Sequence, residues 1–265
     1  MTQFCTFASG SAGNASFLSS GTTHILIDIG ISCRRLCSSF AGVGVRAEDL
    51  SAILITHHHG DHIGGLATYI KKYNTPIITT SETAYQLSSR FAGIAHRIKC
   101  VDWGEQCVIG NMTVTVLPTS HDCKGSCAFH IVTPEGTVGY ITDTGIIPKK
   151  TAQVLLGTKL LLLESNHDIE MLCSGPYPYP IKERILGECG HLSNRMAADF
   201  AVESARAGTQ NIILAHLSAE NNTPQIARHT VEEKLKSIGY RGYLSIAPEK
   251  EMSELYTMEM SRCSE

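Results

Sequence analysis

No segment of the 265-residue chain approaches the roughly 20 apolar residues that cross a membrane. Its first ten residues, MTQFCTFASG, carry neither a basic start nor the apolar core of a secretion signal. The expectation is a cytoplasmic protein without membrane attachment. Positive charge is not in excess: 22 Lys and Arg against 25 Asp and Glu leave a formal charge of −3. That balance does not describe a broadly basic nucleic-acid-binding face, so an anionic substrate would need local positive charge, for which bound metal ions are one source. None of the ten cysteines stands in a CxxC pair. The closest spacings, Cys33 with Cys37 and Cys123 with Cys127, are CxxxC, and reduced, mostly packed thiols are expected. Repeats of fixed period, low-complexity tracts and linker-like shifts in composition are also missing. One domain over residues 1–265 follows, and 43% apolar with 18% charged residues describes an ordinary globule with room for a sizeable core.

What is present is an alternation of short strands and helices. QFCTFASG, NASFLSS and THILIDIG read as strands, SCRRLCSSF as a helix, and SAILIT as a strand buried on both faces. HIGGLATYIKKY reads as a helix, TPIITT as a strand and SETAYQLSSRF as a helix. CVIG, MTVTVLPTSHD and CAFHIVTPEGTVGYITD return to β, the last with a hairpin turn at Pro134–Gly136. Helix PKKTAQVLLG, strand KLLLLES and the loop GPYPYP lead to IKERILGE. Ser193 caps a helix that stops at Gly208. After strand NIILAHLS, Thr223 caps another that carries Pro224 in its first turn and ends at Gly239. Two successive halves of this kind predict layers stacked around mixed sheets.

The chemistry is concentrated in ILITHHHGDHIGG, where His57, His59, Asp61 and His62 follow the end of a strand. Side chains of an extended segment repeat every two residues, so His57 and His59 point together toward one metal. Asp61 and His62, at the start of the next helix, can turn toward a second. His58 breaks the alternation and points away, and Gly60, Gly64 and Gly65 permit a sharp turn. Two metals need more donors, and these lie at strand ends downstream: His121 after MTVTVLPTS, Asp143 after TVGYIT and His216 after NIILA.

This HxHxDH motif, followed by a single His, Asp and His, resembles the metallo-β-lactamase superfamily over nearly the whole chain. The resemblance implies an α/β fold, a four-layer αββα sandwich with two divalent metals at one edge. His57, His59 and His121 would hold the first, Asp61, His62 and His216 the second. Asp143 would bridge them, and Asp28 of ILIDIG would support the ligands from behind. FASGSAGNASFL, LLLESNHDIEML, GHLSN and AHLSAENNTP are similar to the YycJ (WalJ)-type branch, bacterial DNA exonucleases. The cysteines of SHDCKGSCAF depart from the branch pattern.

A metal pair with a bridging hydroxide is a nucleophile at neutral pH. Zinc suits the nitrogen donors, and manganese or iron is compatible with the carboxylates. GHLSNRMAADFA and LLLES resemble the elements of tRNase Z-type phosphodiesterases in which a His meets the scissile phosphate and a Glu orients it. His191 and Glu164 therefore join Asp61 as expected catalytic residues. Asn166 and His167 are candidates to line the same pocket. SGSAGN is either a tight turn or a phosphate cradle, with Ser11 and Asn14 as contacts. The expected function is a DNA phosphodiesterase, an exonuclease working 5′ to 3′ as the resemblance implies. The competing reading is hydrolysis of a small thioester, lactone or cyclic phosphodiester on the same metals.

Overall fold

Two seven-stranded sheets carry the chain in the computed structural model, which describes residues 1–259. The first sheet collects β1 (Thr2–Ala8), β2 (Ala15–Ser20), β3 (Thr23–Ile27), β4 (Ala52–Leu54), β5 (Ile77–Thr79) and β6 (Ile98–Cys100). The second collects β7 (Gln106–Ile109), β8 (Met112–Pro118), β9 (Cys127–Thr133), β10 (Gly136–Ile141), β11 (Leu160–Glu164), β12 (Asn211–Ala215) and β13 (Tyr243–Ile246). Strand β14 (Tyr256–Met258) returns to the first sheet and pairs antiparallel with β1. Both sheets are mixed. In the first, β1 to β3 run antiparallel and β3 to β6 parallel. In the second, β7 to β10 run antiparallel, through the expected hairpin after Thr133, and β10 to β13 parallel.

The parallel crossovers are helical: α1 (Cys33–Gly42), α2 (Gly60–Ile63), α3 (Leu66–Tyr69) and α4 (Ser81–Arg90) in the first half. The second half has α5 (Lys149–Leu155), α6 (Ile169–Ser174), α7 (Tyr179–Leu186), α8 (Asn194–Arg206) and α9 (Pro224–Ser237). Three apolar layers separate the elements. Ile25, Leu54, Leu162 and Ile213 meet between the sheets. Leu26 and Ile53 pack outward under Leu36, Phe40 and Leu87, and Leu161 and Ile212 under Ala198, Val231 and Leu235. Alternate residues of β3, β4, β11 and β12 thus enter different layers, which is why these strands read as unbroken apolar runs. Three apolar interfaces make four layers, the αββα sandwich. No helix among the described residues is long and apolar enough to cross a membrane.

Two local readings change. HIGGLATYIKKY is not one helix but the two short helices α2 and α3, broken at Gly64 and Gly65. The Gly65 amide leaves the helical ladder to donate to Ile29 O at 2.8 Å. Nor do Gly60, Gly64 and Gly65 supply unusual turn angles, since none has positive φ. Gly65 is there for close approach: a Cβ would lie 2.1 Å from Ile31 O, whereas one on Gly60 would meet open space. The contact locks the histidine segment onto the loop after β3.

Candidate metal centre

Strands β3, β4, β8, β10, β11 and β12 end at one edge of the sandwich, and each delivers a polar residue there. His57 lies two residues beyond the extended Ile55, and His59 caps α2, so that Asp61 and His62 start a new direction. Nitrogens of His57, His59 and His121 lie within 4.8 Å of one another, as do donor atoms of Asp61, His62 and His216. Asp143 joins the two groups, with Oδ2 at 3.2 Å from His62 Nε2 and Oδ1 at 3.8 Å from His121 Nε2.

Hydrogen bonds behind the histidines decide which nitrogen faces inward. Thr56 Oγ1 donates to Asp28, leaving its lone pair to accept from His57 Nδ1 at 3.1 Å. His62 Nδ1 donates to Asp28 Oδ2 at 2.8 Å, His216 Nδ1 to Glu164 Oε1 at 3.0 Å and His121 Nδ1 to Gly190 O at 3.2 Å. Each therefore turns Nε2 toward the cluster, where it offers a lone pair once any second proton has left the ring. His59 presents Nδ1, 3.3 Å from His121 Nε2. Buried His57 Nε2 and Asp143 Oδ2 have no hydrogen-bond partner. Stranded donor atoms of this kind, in a set of imidazoles and carboxylates, fit a divalent metal ion.

Backbone conformation marks the same place. Three non-glycine residues among those described have positive φ: Asp28 at 61°, Asp143 at 55° and His216 at 56°. All directly follow or lie within two residues of a strand end at the site, and left-handed backbone at such residues is strain that the surrounding fold must impose.

The charges are balanced by proximity. Burial pushes His216 down, but Asp143, Asp61 and Glu164 outweigh it and raise it to about 10. His62 is likewise raised, against burial, by Asp143 and Asp28. Burial lowers His57, with His62 adding to the effect. Glu164, despite burial, is lowered to about 2 by His191 and His216. Asp61 is lowered as hydrogen bonds from His216 and His62 outweigh burial.

The other expected residues fall into distinct places. His191 stands half-buried beside the ligand groups with Nδ1 on Glu164 Oε1 at 2.8 Å. Glu164 is fully buried, and its Oε2 accepts from the amides of Thr144 at 2.9 Å and Leu192 at 3.3 Å. It therefore positions two histidines rather than meeting a substrate itself. Asn14, read as a phosphate contact, is 2% exposed and donates to Asp61 Oδ2 at 3.2 Å and Gly10 O at 3.1 Å. Its amide supports the ligand set from behind. Ser11 is exposed at the turn. Asn166 is buried and donates to His216 O at 2.9 Å, and His167 is buried with both ring nitrogens unpartnered. Neither stands as an open pocket wall. His58 does point away, with Nδ1 3.1 Å from Cys123 Sγ, and Cys127 Sγ lies against Thr56 O at 3.3 Å. Sequence reasoning missed Thr56 and Asp122. Asp122 Oδ1 lies 3.3 Å from His121 Nε2, while its Oδ2 accepts from Arg184 Nε of α7 at 2.6 Å. Its one signal was adjacency to His121.

Residues 23–217 match the family model described as a beta-lactamase superfamily domain. The chain belongs to the metallo-β-lactamase superfamily. It is 33% identical over 238 residues to exodeoxyribonuclease YycJ of Bacillus anthracis, covering 89% of this chain and 90% of that protein. With exodeoxyribonuclease WalJ of Streptococcus pneumoniae it shares 31% over 236 residues, 88% of each. Its fold matches the metallo-β-lactamase fold protein YhfI of Bacillus subtilis at a TM-score of 0.69 and 20% identity, over 96% of this chain and 100% of that one. The chain is accordingly a hydrolase of this superfamily, with His and Asp groups suited to divalent metal ions.

Proposed function

We propose that this hydrolase is a dinuclear-metal phosphodiesterase acting on DNA, an exonuclease with the 5′-to-3′ polarity that the branch resemblance implies, working in the cytoplasm as one domain over residues 1–265. The observation that carries the reading is the Glu164–His191 pair, 2.8 Å apart beside the ligand groups. His57, His59 and His121 would hold one ion, Asp61, His62 and His216 the other, with Asp143 between them. Zinc suits this donor set, and manganese or iron is compatible with it. When bound, such ions bring water to a nucleophilic form near neutral pH and offset phosphodiester charge, despite the acidic chain.

The protein's own residues supply the rest. Asp61, held ionised and 24% exposed at its side chain, accepts a proton from the attacking water. His191 donates through Nδ1 to Glu164, which leaves Nε2 free to serve a substrate. Burial lowers its pKa, but Glu164 and Asp143 outweigh that and raise it, so Nε2 holds its proton to higher pH than a free imidazole would. As the P–O bond breaks, that proton passes to the departing sugar oxygen, a poor leaving group without it. A thiolate leaves a thioester unaided, so the pair favours phosphodiesters over the thioester alternative. Ser11, on the exposed turn, remains the candidate contact to a neighbouring phosphate, while Asn14, Asn166 and His167 act on the site from behind.

The deciding assay supplies zinc or manganese to the purified protein with end-labelled duplex DNA, single strands, RNA, a cyclic phosphodiester and a thioester. Stepwise loss of nucleotides from one DNA end is expected. Turnover of the thioester alone overturns the reading.

A further inference from the structure

Two hollows lie end to end where the edges of the sheets part, between β13 and β14. The upper one, about 550 Å³, is walled by Ser9, Leu217 and Ser218 beside the site. Leu217 directly follows His216, and Ser9 Oγ accepts the His216 amide at 2.8 Å. The lower one, about 440 Å³, reaches Tyr243, Tyr256 and Arg228. Pro224, Gln225, Ile246 and Pro248 line both, so the two form one groove leading away from the metal centre. Along β13, from Tyr243 to Ile246, it descends roughly 10 Å at about 3.3 Å per residue.

We infer that this groove is the track for an unpaired DNA strand on one side of the scissile phosphate, an inference that rests on the phosphodiesterase reading. Where it leaves the site it is lined by Leu217, Ala219, Pro224, Ile246, Ala247 and Pro248 among polar residues, and such apolar surface suits base faces. It ends on a tyrosine pair, ring centroids 5.6 Å apart, whose outer member Tyr243 is 45% exposed. Unpaired bases stack on such rings, whereas the bases of a duplex already cover one another. Exposed Arg228 on α9 offers the backbone a cation. Of the two carboxylates in the lining, Glu254 Oε2 accepts from Tyr243 Oη at 3.1 Å, and Glu249 lies 3.7 Å from Lys250 Nζ. Ser245 and Tyr256 hydrogen-bond across the gap and close the groove floor. Bases would therefore face inward, with phosphates outward beside Arg228.

The test uses a fluorescent 20-nucleotide thymidine strand, followed by anisotropy and by cleavage, with bis(nitrophenyl) phosphate as a substrate too small to reach the groove. Tyr243→Ala should weaken strand binding and raise KM by about fivefold to 100-fold, the range of one lost stacking contact. Tyr243→Phe should restore both. Ala219→Trp, which fills the upper hollow from an exposed position, should act like Tyr243→Ala. Metal content and turnover of the nitrophenyl diester should stay at the wild-type level in all three. Unchanged strand affinity in both Tyr243→Ala and Ala219→Trp overturns the track and leaves the nuclease reading standing. Loss on the small diester as well also overturns it, since the groove would then act on the site and not on the strand. A wild-type protein that binds the strand but cleaves no nucleic acid overturns the nuclease reading instead, and the affinities of the variants still decide the track.

Discussion

Removing His191 isolates the step on which the proposed phosphodiesterase activity turns. A general acid contributes ~10²–10⁴ in rate, or about 3–6 kcal/mol at 1.4 kcal/mol per tenfold, so His191→Ala should lower kcat on DNA by that factor. The contribution runs through Glu164, which is fully buried and cannot trade His191 for water. Breaking one hydrogen bond to a charged group costs about 1.5–3 kcal/mol. Glu164→Gln should therefore lower kcat by roughly 10- to 100-fold, somewhat less than His191→Ala. The sign in pH follows from the same contact. Glu164 holds the His191 pKa above its ordinary value, and the acid must be protonated to act, so activity falls as pH rises through that raised pKa. Glu164→Gln should move this alkaline limb of kcat/KM to lower pH. A nitrophenyl diester leaves without a proton and should lose far less than DNA in His191→Ala, and likewise in Glu164→Gln at saturating metal, since Glu164 also holds the ligand His216 at 3.0 Å. Donor atoms of His191, Glu164, Asp143 and His216 also come within 4.8 Å of one another, so metal content is the control. Equal loss on both substrates would refute proton donation, and a lost metal equivalent in His191→Ala would make the histidine a ligand.

Three further outcomes are expected. Asp143→Ala should bind no more than one ion per chain and lose detectable turnover, by elemental analysis after gel filtration; two tightly held ions would contradict the ligand assignment. His62 and His216 are raised in the metal-free protein, so ions must displace protons, and affinity in a chelator competition should rise steadily from about pH 6 towards 10; a flat profile would count against Nε2 ligation. Asp28→Asn keeps the shape but not the charge behind His62 and Thr56, and should weaken metal binding by ~10- to 100-fold with little change in the fold by circular dichroism; unaltered affinity would remove Asp28 from the site's support.

Much of this centre was legible because its donors sit where apolar strands stop. The run Ile53 to Thr56 announces a strand, and a histidine directly after it has nowhere to go but the sheet edge. The same logic finds His121, Asp143 and His216. It fails for Asn14 and Asn166, because a polar residue near a motif reads the same whether it faces substrate or the back of a ligand. Only the observed partners, Asp61 for one and His216 O for the other, separate the two. It fails again for Thr56, whose hydroxyl is indistinguishable in sequence from any strand threonine. Strands β13 and β14 are short, and their importance lies in the gap between them, which no periodicity encodes.

The left-handed residues show what the sandwich is for. Asp28, Asp143 and His216 come from three different strand ends, yet adopt the same backbone conformation, at a cost of order 1–3 kcal/mol each. Glycine would adopt it freely, but glycine brings no donor. The chain keeps the donors and lets the sheets impose the conformation: Asp28 N donates to Leu54 O at 2.8 Å, and His216 N to Ser9 Oγ at 2.8 Å. Each of these bonds ties a ligand or its support to a neighbouring strand end or loop before any ion arrives. Strain of this kind persists only where the scaffold over-determines it, and here three apolar layers do so. The sandwich therefore holds imidazoles and carboxylates close together in spite of their mutual cost, so that an incoming ion meets donors already in place.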